Sequence, residues 1–66
     1  MTKAELVKSL ERFTGAGFIT RIQLARYMGK SDPHYVDKYL DGVERVGRNY
    51  FIPDVAAAII AMKTVR

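Results

Sequence analysis

The chain has no cysteine and no tryptophan, and only one histidine and two prolines among its 66 residues. Without cysteine it can build neither a disulfide framework nor a thiolate zinc site. One histidine cannot hold a metal alone, and no cofactor is expected. No apolar run approaches the ~20 residues of a membrane span. From Lys3 onward charged and apolar residues alternate, so the N-terminus lacks the apolar middle of a signal peptide. The expectation is a cytoplasmic protein with no membrane partner. Length excludes more. Dividing the chain would leave pieces too small to hold a core, so residues 1–66 read as one domain. A preformed pocket needs roughly 300 Å³, which so small a core rarely encloses, and the expected function is not catalytic.

What is present is apolar packing and a modest positive charge. Apolar residues make up 48% of the chain, enough for a core without covalent reinforcement. Eleven basic residues against seven acidic ones give a net charge of +4, a mild pull toward a polyanion. The excess is not concentrated in sequence. Residues 18–50 hold six basic and four acidic side chains, so only folding could gather the charge on one face.

Five segments can be read along the chain. Thr2 and Glu5 fit a capping box ahead of a helix to Phe13, with Leu6, Val7, Leu10 and Phe13 on one face. Gly15 and Gly17 end it. Thr20 with Gln23 fits a second capping box, for a helix over Arg21 to Met28 whose buried side is Ile22, Leu24, Ala25 and Met28. Gly29 suits the left-handed position that follows. Asp32-Pro33 starts a third helix running to about Leu40, with Val36, Tyr39 and Leu40 inward. Val43 to Val46 and Tyr50 to Ile52 read as a hairpin around a Gly47-Arg48-Asn49 turn. Pro53 and Asp54 open a last helix to about Thr64, with Val55, Ile59 and Met62 on one stripe and Lys63 and Arg66 complementing its C-terminal end.

The expected fold is therefore mainly α with a small β-hairpin. Two helices joined by a tight glycine turn, then a hairpin, read as a winged helix-turn-helix. The helix-turn-helix covers about 20–41, the wing about 43–52 and the C-terminal helix about 53–64. Ala25 and Gly29 have the four-residue spacing of such a turn. Val36 comes seven residues after Gly29, where six is usual, as if Asp32 were an insertion.

These residues resemble the winged-helix DNA-binding domains of the MerR and phage or transposon excisionase group. The matching elements are Phe18-Ile19-Thr20, Leu24-Ala25, Gly29, Ser31, Pro33, Val36 and Tyr39-Leu40, followed by Val46-Gly47-Arg48-Asn49-Tyr50-Phe51-Ile52-Pro53. The stretch covers about two thirds of the chain. Phe51 departs from the pattern, standing where the group often has a basic residue. The resemblance implies that the third helix enters the major groove of double-stranded DNA and that the wing lies along phosphates or in the minor groove. It also implies a non-enzymatic protein that binds adjacent sites, bends DNA and directs an integrase toward excision, with further copies of itself as neighbours.

Positions facing away from Val36 and Leu40 are the base-reading candidates: Lys38, His34 and Tyr35, with Ser31 at the helix start. Arg48 and Asn49 at the wing tip, with Arg45, are the wing candidates. Arg21, Arg26 and Lys30 are the phosphate candidates. Asp37 and Asp41 work against a groove-binding helix, and their expected role is pairing with Lys38 and its neighbours, or solvation. Two other readings remain open. One is a small transcriptional regulator of a mobile element, which the same DNA-bending act would serve. The other is a protein-interaction module that keeps the fold without the DNA, motivated by Asp37, Asp41, Glu44 and the very apolar last helix. An acid–base set of His34 with Asp32 and Asp37 lacks a third group to orient it.

Overall fold

The computed structural model describes residues 2–64, with the side chains of Lys63 and Thr64 not described. The expected roles of Lys63 and Arg66 at the last helix end lie outside the described residues.

Helix α1 spans Lys3–Thr14 and begins as its sequence dictates. The Thr2 hydroxyl accepts from the Glu5 amide, and the Glu5 carboxylate accepts from the Thr2 amide. Gly15 ends it in the left-handed region, φ +72°. Leu6 and Leu10 are buried. Phe13, expected on the same face, is 48% exposed and rests edge-on against Tyr27.

The segment after α1 differs from the expectation. Phe18–Thr20 form strand β1, which pairs antiparallel with β3 (Asn49–Phe51), and β3 in turn pairs with β2 (Arg45–Val46). The sheet has three strands, in the order β1-β3-β2, where sequence indicated only a hairpin. The reason is burial: Ile19 is fully buried, and pairing with β3 supplies its backbone partners.

Helix α2, Arg21–Tyr27, carries the second capping box, Thr20 with Gln23. Its end is a Schellman motif. The Lys30 amide bonds the Ala25 carbonyl and the Gly29 amide bonds the Arg26 carbonyl, with Gly29 at φ +75°. Leu24 and Ala25 are buried as expected, but Ile22 is 56% exposed. At seven residues α2 is too short for a wide apolar stripe, and Leu24 and Ala25 already fill its inner side.

The third helix is split. Pro33–Val36 form a 3-10 turn and Asp37–Leu40 a single α turn, α3. Asp32 caps the first part through the His34 amide, and the Tyr35 amide bonds the Asp32 carbonyl three residues back. Val36 and Leu40 are buried anchors on either side of the change.

The hairpin turn is tighter than expected. Val46 pairs with Asn49, so only Gly47 and Arg48 form the loop, and Asn49 belongs to β3. Gly47 has φ +66° and Arg48 does not have positive φ, the pattern of a II′ turn. Ile52 also changes role: it is fully buried as the first residue of α4, Ile52–Thr64, and not the last of a strand. Pro53 follows in the first turn, where its missing N–H costs nothing.

The core joins Leu6 and Leu10 with Ile19, Leu24, Ala25, Val36, Leu40, Ile52, Val55, Ala56 and Ile59. Helix α1 packs chiefly on α4. Met62, expected on the buried stripe, is 42% exposed. The result is a small, mostly helical domain of four helices with a three-stranded antiparallel sheet, about 29 × 23 × 23 Å. No helix among the described residues is long and apolar enough to cross a membrane.

Candidate nucleic-acid interface

The candidate residues fall on three neighbouring elements: the start of α2, the segment from Lys30 through α3, and the hairpin. The first junction is an ion pair. Arg21 Nε and Nη2 donate to the two carboxylate oxygens of Asp37 at 2.6 and 2.9 Å, tying α2 to α3. Asp37 therefore does not pair with Lys38, as its position on the helix suggested. A residue three or four places along a helix is reachable, but the first turn of α2 offers a planar two-pronged donor. The hydrogen bonds from Arg21 hold the Asp37 carboxyl below its ordinary value, and Asp37 raises the Arg21 guanidinium in return.

The second cluster surrounds Tyr35. Lys30 Nζ and Lys38 Nζ each lie 4.7 Å from the centre of the Tyr35 ring. Lys38 Nζ also lies 5.2 Å from the Tyr39 ring, and the two tyrosines are tilted against each other. Tyr35 is 38% exposed and both lysines are exposed. Ser31 and His34 are exposed nearby, and His34 Nδ1 lies 3.0 Å from Asp32 Oδ1. That carboxyl sits below its ordinary value, mainly because it accepts from the His34 amide.

The hairpin supplies the third part. Register and pleat divide the sheet residues between its faces. Arg45 and Ile19 both pair with Tyr50 and share one face; Phe18, Val46, Asn49 and Phe51 share the other. Arg45 and Arg48 reach an open groove of about 370 Å³ that they line with Thr20, Arg21, Ile22 and Tyr50. Three arginines from two elements thus border one concavity. Asn49, which pairs with Thr20 and Val46, is not among the residues lining this groove. Arg26 is exposed on α2 and lines neither this groove nor the tyrosine cluster.

Three carboxylates lie elsewhere. Asp41, Glu44 and Asp54 line a separate groove of about 440 Å³ with Gly42, Val43, Ala57 and Ala58. No acid is among the described residues that line the arginine groove, although Asp37 is paired to Arg21 at its border and Asp32 lies near enough to act on the Arg21 charge. Sequence reading missed Ile22 and Tyr50 as lining residues. Tyr50 follows from the hairpin register, whereas Ile22 could be found only by seeing that α2 is too short to bury it. No group of three His, Asp or Glu among the described residues is placed to hold a metal ion.

Comparison with known proteins returns no matching family model, no matching curated sequence and no matching solved structure. The functional reading therefore rests on this chain's own residues.

Proposed function

We propose that this protein is a winged helix-turn-helix that binds double-stranded DNA without catalysing a reaction. In this reading α2 and the Pro33–Leu40 segment are the two helices of the motif, and the Gly47-Arg48 hairpin is the wing. The observation that carries it is the sorting of charge. A net charge of +4 would attract DNA only weakly if spread evenly. Here Arg21, Arg45 and Arg48 share one groove, Lys30 and Lys38 share one ring, and three of the acids line another groove.

Roles follow from position. Lys38, His34 and Ser31 face the bases or their flanking phosphates, Arg45 and Arg48 grip the backbone or a narrow minor groove, and Lys30 and Arg26 take phosphates, while Arg21 is held by Asp37. About four to six neutralised phosphates give modest affinity for one copy. Several copies on adjacent sites would raise it by local concentration, which suits a DNA-bending recombination factor of the excisionase kind acting with an integrase. Regulation of a mobile element's own transcription would use the same act, and either role places the protein on the nucleoid.

A specific observation favours a second reading. The groove of Asp41, Glu44 and Asp54 lies between the α3–β2 connection and α4 and would suit a basic segment of a protein partner. Footprinting on DNA flanking the gene separates the two. The DNA-binding reading expects protected sites at regular spacing. Absence of protection at protein concentrations that saturate neither competitor nor surface would leave the interaction module standing.

A further inference from the structure

The Tyr35 cluster carries an inference that deepens the DNA-binding reading and rests on it. An exposed tyrosine on such a segment would ordinarily be assigned to touch a base or a phosphate through its hydroxyl. Its ring is instead occupied by two cations, Lys30 and Lys38, each with Nζ at 4.7 Å from the ring centre. Lys30 comes from the turn and Lys38 from α3, so the ring bridges the two halves of the motif. Two ammonium groups that near one ring lie within twice that distance of each other. One strand of DNA presents a phosphate about every 3.4 Å along the axis, so two cations this close can act on phosphates of one short stretch of strand.

Two like charges on flexible stems would otherwise separate. Each lysine carries a large rotamer freedom that must be lost on binding. The quadrupole of an aromatic face attracts both ammonium groups at once and restrains them before the ligand arrives. We propose that Tyr35 is a positioning residue that holds Lys30 and Lys38 together as one two-charge clamp for adjacent phosphates of a DNA strand. The hydroxyl has no part in this, and the ring acts through the lysines.

The proposal separates two substitutions at one exposed site. Tyr35→Phe keeps the ring and removes the hydroxyl. Tyr35→Leu keeps apolar bulk and removes the ring. Both are titrated beside the wild type against a random-sequence DNA duplex at ~50 mM salt, with circular dichroism to verify the fold. Tyr35→Phe is expected to bind within about twofold of wild type, and Tyr35→Leu to bind about three- to tenfold more weakly, the range expected for losing exposed cation–ring contacts. Lys38→Ala should cost less in the Tyr35→Leu background than in the wild type.

Several results would overturn the clamp. Tyr35→Phe as weak as Tyr35→Leu would show that the hydroxyl acts directly. Tyr35→Leu binding like a wild type that does bind would show that the ring holds nothing of use, while DNA binding itself survives. A wild type that fails to bind the duplex removes the DNA reading and the clamp with it. Lysine side-chain NMR reports the geometry independently. The Lys30 and Lys38 ε-protons should be shifted upfield by the ring in wild type and in Tyr35→Phe, and should return to free-lysine positions in Tyr35→Leu. Unshifted ε-protons in the wild type would contradict the clamp.

Discussion

The Arg21 guanidinium holds the Asp37 carboxylate through two hydrogen bonds, 2.6 and 2.9 Å, across 16 residues of sequence. This contact fixes the corner between α2 and α3, and it neutralises an acid beside the arginine groove. Both side chains are partly exposed, so the pair adds little to stability. Its larger effect is on charge. In Asp37→Asn the Arg21 guanidinium is released and a negative charge is removed. DNA binding should tighten, and the slope of log K against log salt should steepen by up to about one unit. A mobility-shift titration at several salt concentrations checks this; weaker binding would mean that the corner geometry matters more than the charge.

Acid should loosen the fold through three carboxylates at once. Glu5, Asp32 and Asp37 are each held below their ordinary values, 4.5 for Glu5 and 3.8 for the aspartates. The causes are hydrogen bonds from Thr2, from His34 and from Arg21 respectively. A carboxyl lowered in the folded state stabilises it above the unfolded value and loses that contribution as pH falls through the folded one. Thermal unfolding midpoints should be level from about pH 5 upward and fall below about pH 4. Replacing Glu5 with Gln should reduce the acid-side drop. A midpoint that rises on acidification would contradict the assignment.

How far the sequence reveals this fold depends on how local each signal is. Both capping boxes, the Asp32-Pro33 start and the Gly29 turn are legible because the partners lie within a few residues. Strand β1 was not legible. Three residues show no period, and Phe18–Thr20 become a strand only by pairing with Asn49–Phe51 thirty residues away. The candidate site has the same division. Lys30, Lys38 and Arg48 stand out from turn and helix position, but the Arg21–Asp37 pair and the gathering of Asp41, Glu44 and Asp54 in a groove of their own exist only after folding.

Two leucine truncations and one isoleucine truncation test the packing directly. Leu10 and Leu24 are fully buried, and Ile22 is 56% exposed. Leu10→Ala or Leu24→Ala should cost about 2–5 kcal/mol, enough to unfold much of a domain this small. Ile22→Ala should stay within about 0.5 kcal/mol. Chemical denaturation distinguishes them. A large loss at Ile22 would mean that α2 buries its apolar side as its sequence pattern first suggested.

The Gly47-Arg48 hairpin turn offers a cleaner backbone test. Gly47 sits at φ +66°, and beyond its own and its chain neighbours' atoms nothing lies within 4 Å of where a Cβ would be. Gly47→Ala therefore meets no clash and costs only the left-handed conformation, about 1–2 kcal/mol. Asn in its place should cost less. Denaturant midpoints for the two variants check the order, and equal losses would argue against a positive φ at the tip.

The most direct test of DNA binding is a titration of the wild-type protein on random-sequence duplex DNA between about 50 and 200 mM salt. The arginine groove and the lysine pair predict measurable binding at the low end and a log–log slope near −4 to −5. Arg48→Ala should flatten that slope by about one unit. No binding at ~50 mM salt, or binding that salt leaves unchanged, would contradict the account.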